Sequence, residues 1–179
     1  MRLFVAVNFE PVVLDALAGV ADALRREAVS GVFTRRENFH LTLAFLGEVP
    51  RPDGAMRAMD RVDAHAFSLG LGGLGRFRRE GGDIWWLGVS APPELGALQR
   101  ALAKELIREG FSLEERDYRP HLTLGRQVRL ERALGRDVFP AVAQVQVSEF
   151  CLMRSDRIDG RLTYRKIYTK CLKEGKDNR

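Results

Sequence analysis

The tetrapeptide His-Leu-Thr-Leu stands twice in this chain, as His40-Leu41-Thr42-Leu43 and as His121-Leu122-Thr123-Leu124, 81 positions apart. The chain has three histidines and five threonines. A threonine falls two places after a given histidine with a chance of about 3%, so two accidental copies among three histidines have a chance of roughly a few in a thousand. Successive side chains on a strand point to opposite faces, so each histidine shares a face with its own threonine while the two leucines turn to the core. Each copy thus offers an imidazole and a hydroxyl as a unit.

Two such units, set face to face across a cleft, suit reaction at a phosphodiester. Displacement at phosphorus needs a base on the attacking side and an acid on the leaving side, and histidine serves as either near neutral pH. His40 and His121 supply both. The hydroxyls of Thr42 and Thr123 can donate to non-bridging oxygens, where negative charge gathers, without adding a competing base. Arg126, five residues beyond His121, brings a fixed positive charge to the same place if the strand runs that far. The arrangement requires no metal and no other cofactor, and the chain has neither HExxH nor a His/Asp cluster at ligand spacing. The third histidine, His65, has no matching motif and is read as a solvated or capping residue.

The elements that must position these groups alternate along the chain. Residues 3–7 read as a strand and 12–28 as an amphipathic helix opened by Pro11. The apolar stretch 40–46 ends at Gly47, and Met56, Met59 and Val62 mark a helix over 53–66. Strands at 67–74 and 84–89 join across Gly81-Gly82-Asp83. A second long helix covers 94–109, with Leu95, Leu98, Leu102 and Leu106 on one stripe. A short strand at 121–124, a charged connector at 126–137, strands at 143–153 and 164–172 with a turn at 155–160, and a frayed tail complete the reading. Mixed strands and helices in both halves predict an α+β architecture of two packed lobes within one domain, 1–179.

Composition narrows the function. At 179 residues, 45% hydrophobic and 30% charged, the chain has material for one ordinary core and none of the bias of disorder or collagen. No apolar run reaches the roughly 20 residues of a bilayer span, and the opening MRLFVAVNFE lacks a signal peptide's apolar stretch, so a cytoplasmic protein without membrane contact is expected. Cys151 and Cys171 form no CxxC pair and are read as buried thiols. A net charge of +5 and a pI near 9.6, carried by arginine pairs such as Arg25-Arg26, Arg35-Arg36 and Arg78-Arg79, make nucleic acid a candidate partner.

At these residues the chain resembles the two-histidine phosphoesterases, and among them the RNA 2′,3′-cyclic phosphodiesterases, also called 2′-5′ RNA ligases. Arg2-Leu3-Phe4-Val5-Ala6 is similar to that family's first strand, the block from His40 to Val49 to its first motif, Pro120-His121-Leu122-Thr123-Leu124-Gly125-Arg126 to its second, and the segment from Ser155 to Tyr164 to its closing hairpin. The resemblance implies a bilobal LigT-like fold, with two pseudo-symmetric lobes of antiparallel sheet and helices around a central cleft. It also implies metal-independent hydrolysis of RNA-terminal 2′,3′-cyclic phosphate to a 2′-phosphate. His40 would protonate the departing 3′-oxygen, His121 would activate water, Thr42 and Thr123 would hold the phosphate, and Arg126 would compensate its charge. In the reverse, ligating direction the two histidines exchange roles. Two positions depart from the family pattern: Ala44 where a basic residue is common, and Phe33 where tryptophan is. Base stacking then falls to Phe45 and Tyr118, with core packing the stronger expectation for Phe45. Of Trp85 and Trp86, neighbours on one strand, one is expected to face inward.

Two other functions compete with hydrolysis at an RNA end. A related enzyme on a small cyclic nucleotide, an ADP-ribose cyclic phosphate or a 2′-5′ oligoadenylate would use the same histidines with less basic surface. A non-catalytic RNA-binding module, by contrast, would bind through its arginines and be indifferent to the imidazoles. A monomer is the default expectation.

Overall fold

Alternation along β1 (Arg2–Val7) sends Leu3, Val5 and Val7 into the main core and Phe4 and Ala6 to the opposite face of their sheet. The computed structural model describes residues 1–90, 92–115, 117–132 and 143–175. After β1 come α1 (Pro11–Glu27), β2 (Ala28–Phe33), a single 3-10 turn at Arg36–Asn38, β3 (Leu41–Glu48), α2 (Asp53–Asp60), β4 (Phe67–Phe77), β5 (Asp83–Ser90), α3 (Pro93–Arg108), β6 (His121–Leu130), β7 (Ala143–Val147), β8 (Glu149–Ile158) and β9 (Arg161–Cys171). The expected frayed tail, 175–179, lies outside the described residues apart from Gly175.

The strands form two antiparallel sheets, so the fold is α+β as expected. One has the order β3-β1-β8-β9 and the other β2-β6-β5-β4-β7. The chain passes repeatedly between them, so neither sheet is one continuous segment. Helix α1 turns Val13, Leu17, Ala21 and Leu24 inward and packs on β2 and β6 of the second sheet. Helices α2 and α3 pack on each other and against the first sheet, α3 through Leu95, Leu98, Leu102 and Leu106, all 0% exposed. Arg57 of α2 and Arg61 just after it meet Glu109, which follows α3, and Glu105 in its last turn, at 2.8 and 2.6 Å.

Several elements differ from the sequence reading. Helix α2 stops at Asp60 rather than 66, because residues 64–66 are drawn into backbone bonds with Lys173: Ala66 N to Lys173 O at 2.8 Å and Lys173 N to Ala64 O at 2.9 Å. His65 sits in that bridge. Strand β2 has no sequence counterpart: it is an exposed edge strand, held by its ladder to β6 and lacking a buried alternation. Strand β6 runs through Leu130, taking up the start of the expected connector. The single strand expected over 143–153 is two strands that break at Ser148 and belong to different sheets. The β8–β9 hairpin is tighter than expected, turning at Asp159 and Gly160 with φ of 50° and 75°. Cys151 is buried, but Cys171 is exposed.

Candidate active site

Each tetrapeptide sorts its side chains as alternation requires. Leu41, Leu43, Leu122 and Leu124 are 0 to 2% exposed, while both histidines and both threonines sit partly exposed on the other face. The first pair belongs to the β3 end of one sheet and the second to the start of β6 in the other.

The alternation then breaks in the same place in both copies. On β3, Val5 pairs with Ala44 and Ala6 with Thr42, leaving Leu43 as an extra residue. On β6, Trp85 pairs with Gly125 and Trp86 with Thr123, leaving Leu124 extra. Each is a β-bulge at the last leucine of the tetrapeptide, and it shifts the parity of everything that follows. Unbroken alternation would turn Arg126 to the core with Leu122 and Leu124. With the bulge, Gly125 is buried and Arg126 is exposed on the histidine side. By the same shift Ala44 is buried and Phe45 is 42% exposed. Phe45 is therefore not a core residue, against expectation, and it holds the position on β3 that Arg126 holds on β6.

The two imidazoles are anchored alike. His40 Nδ1 lies 2.7 Å from the carbonyl of Asn38, and His121 Nδ1 lies 2.7 Å from the carbonyl of Arg119. A carbonyl can only accept, so each Nδ1 carries a proton and donates it, which leaves Nε2 as the nitrogen available for chemistry. Each ring is also flanked by two aromatic side chains from other strands of its own sheet. Tyr164 meets His40 edge-on at 5.1 Å and 89°, with Phe4 tilted at 4.8 Å. Phe77 meets His121 edge-on at 5.2 Å and 87°, with Trp86 tilted at 6.2 Å.

Burial holds His40 below the ordinary histidine value, against the pull of the Asn38 hydrogen bond, and the positive charges of Arg126 and His121 lower it further. These three groups therefore share one electrostatic environment although they come from two sheets. Among the described residues no three His, Cys, Asp or Glu side chains cluster as metal ligands would. No described helix is long and apolar enough to cross a membrane.

Hydroxyl groups tie the two motifs together. Tyr118 donates to the Thr42 carbonyl at 3.0 Å, and Thr34 donates to the Thr123 carbonyl at 2.8 Å. Tyr118 is packed against the core, and burial pushes its phenol well above the ordinary value. Several contributors escaped the sequence reading. Asn38, 6% exposed, fastens the loop before His40 by donating from Nδ2 to the Leu162 carbonyl at 3.0 Å. Phe4, Phe77, Trp86 and Tyr164 reach the histidines through strand pairing. Only the alternation of Trp85 and Trp86 gave a local signal: Trp85 is in the core and Trp86 faces His121.

The profile of the 2′-5′ RNA ligase superfamily matches residues 13–159. An RNA 2′,3′-cyclic phosphodiesterase of Methanothermobacter thermautotrophicus is 32% identical over 173 residues, covering 87% of this chain and 90% of that protein. One from Thermotoga maritima is 31% identical, covering 98% and 97%. Crystallographic Escherichia coli LigT complexed with 3′-AMP superposes with a TM-score of 0.82 at 28% identity, covering 96% and 97%.

Proposed function

The chain belongs to the 2′-5′ RNA ligase superfamily, and we propose that it hydrolyses the 2′,3′-cyclic phosphate at an RNA end to a 2′-phosphate by metal-independent acid–base catalysis. The observation that carries this reading is the matched anchoring of two imidazoles, each donating from Nδ1 to a carbonyl two residues upstream and each offering Nε2, from two different sheets.

In this mechanism His121 Nε2 takes a proton from water as the water oxygen bonds to phosphorus, and His40 Nε2 gives its proton to the 3′-oxygen as the bond from phosphorus to that oxygen breaks. The product carries a 2′-phosphate and a 3′-hydroxyl, and solvent resets the two protons. Thr42 and Thr123 donate to the non-bridging oxygens; among the described residues neither hydroxyl has a protein partner. Arg126 adds positive charge. An anionic phosphate entering beside His40 favours its protonated form, opposing the lowering by burial and by the charges of Arg126 and His121. With the 5′-hydroxyl of another strand in place of water, His121 taking its proton and His40 protonating the 3′-oxygen, the same displacement forms a 2′-5′ phosphodiester, and cleavage of that linkage runs the step backwards with the roles of the two histidines exchanged. The enzyme is read as a cytoplasmic monomer, one domain of two intertwined lobes.

The test is incubation with an RNA ending in a 2′,3′-cyclic phosphate, in excess EDTA, followed by identification of the hydroxyl that keeps the phosphate. A 2′-phosphate product is expected. A 3′-phosphate, or loss of turnover on chelation, counts against the mechanism.

A further inference from the structure

The equivalence of Phe45 and Arg126 leaves the His40 side of the site without an arginine at the matching position. Arg2 fills that gap from the neighbouring strand. Its guanidinium lies 5.0 Å from the centroid of the Phe45 ring. Directly paired residues of antiparallel strands share a face. Phe4 pairs with Phe45, Ala6 with Thr42, Arg2 with Ser155, and Ser155 with Tyr164. Arg2, Phe45, Phe4 and Tyr164 therefore all lie on the face that carries His40 and Thr42.

The spacing along that face sets what Arg2 can reach. Same-face positions on a strand are about 6.8 Å apart. Ala6 lies beside Thr42, Phe4 beside the His40 ring, and Arg2 one step beyond, leading away from the threonine that faces the reacting phosphate. Arg2 also lacks a competing partner. Glu48, opposite it on β3, is engaged with the N-terminal amine at 3.3 Å, and Asp156 is held by Arg154 and Arg165 at 2.8 and 2.6 Å. Among the described residues neither Arg2 nor Arg126 meets a carboxylate, unlike Arg36, Arg57, Arg61 and Arg76. A guanidinium seated over an aromatic ring keeps N–H groups free for a phosphate.

We propose that Arg2, seated on Phe45, binds the phosphodiester one nucleotide away from the cyclic phosphate and so selects an RNA end over a lone cyclic nucleotide. This rests on the phosphodiesterase reading above and names the residues that would read the chain beyond the reacting phosphate. Arg126 serves the reacting phosphate; Arg2 serves its neighbour, a group that a cyclic mononucleotide does not possess.

The experiment compares adenosine 2′,3′-cyclic phosphate with the same compound carrying a 5′-phosphate, which supplies the neighbouring anion and nothing else. The protein should prefer the 5′-phosphorylated substrate by about tenfold in kcat/KM, chiefly through KM, the scale of one charge-assisted hydrogen bond at an exposed site. Arg2→Ala should bring that ratio close to one. Arg2→Lys should keep part of it, and Phe45→Leu, which leaves the charge but removes its seat, should lose part. A ratio untouched by Arg2→Ala, or an equal fall on both substrates, overturns the inference while leaving the phosphodiesterase reading standing. Turnover of an RNA ending in a 2′,3′-cyclic phosphate but of neither compound overturns the inference alone, and failure on all three overturns the phosphodiesterase reading with it.

Discussion

The Tyr118 hydroxyl donates a hydrogen bond to the carbonyl oxygen of Thr42 at 3.0 Å. Tyr118 lies three residues before His121, and Thr42 two after His40, so the bond runs from the approach to one histidine into the other motif. Thr34, on the approach to His40, makes the reciprocal bond to Thr123. The two halves of the site are thereby registered against each other by side chains that need not touch a substrate.

Tyr118→Phe keeps the ring and deletes the bond. Loss of about 1 kcal/mol of stability is expected, the scale of one partly buried hydrogen bond, together with a several-fold drop in kcat. Thermal melts and steady-state kinetics measure both. A variant indistinguishable from the parent would return Tyr118 to the role of a base-stacking ring.

Replacing either His40 or His121 with alanine should lower turnover by about 10² to 10⁴, since each loses one proton-transfer role. RNA affinity should survive, because phosphate contacts rather than imidazoles carry it. Gel-shift binding alongside product assays separates the two effects, and a near-normal rate in either variant would support the non-catalytic binding module instead.

Burial is the main cause that keeps His40 below 6.5, with Arg126 and His121 adding to it. Between that lowered value and 6.5 the unfolded chain holds more protons at this site than the folded one. The contribution of His40 to stability is therefore complete above pH 6.5 and is lost as the pH falls through the folded value. An NMR titration should place the His40 midpoint under 6.5, and Arg126→Gln should raise it. A midpoint at the ordinary value, unmoved by Arg126→Gln, contradicts the shared environment. For turnover, kcat/KM should follow a bell, because one imidazole must be protonated while the other is not.

Gly75 is bare because the Trp86 ring crosses it: a Cβ there would stand 2.1 Å from the indole. Gly75→Ala should push Trp86 off its seat beside His121, costing about 1 to 3 kcal/mol as an overpacked contact. The accompanying fall in kcat is the informative part. Full activity in a folded Gly75→Ala protein would show that Trp86 has no share in holding the imidazole.

The sequence by itself determined the chemistry-bearing pairs and their immediate orientation. Alternation over four residues is enough to put His40 with Thr42, His121 with Thr123, and the leucines in the core; the stripe of Leu95, Leu98, Leu102 and Leu106 is legible for the same local reason. Tertiary structure decided the rest. Strand β2 and the break between β7 and β8 depend on hydrogen-bond partners far along the chain, so no local period announces them. The exposure of Phe45 and Arg126 depends on bulges at Leu43 and Leu124, which exist only as mismatches in register against β1 and β5. The rings around the histidines come from strands that pairing alone brings alongside. Local sterics act over a few residues, whereas register is settled by the whole ladder and the core beneath it; each half-site could be read from its own segment, and their common environment could not.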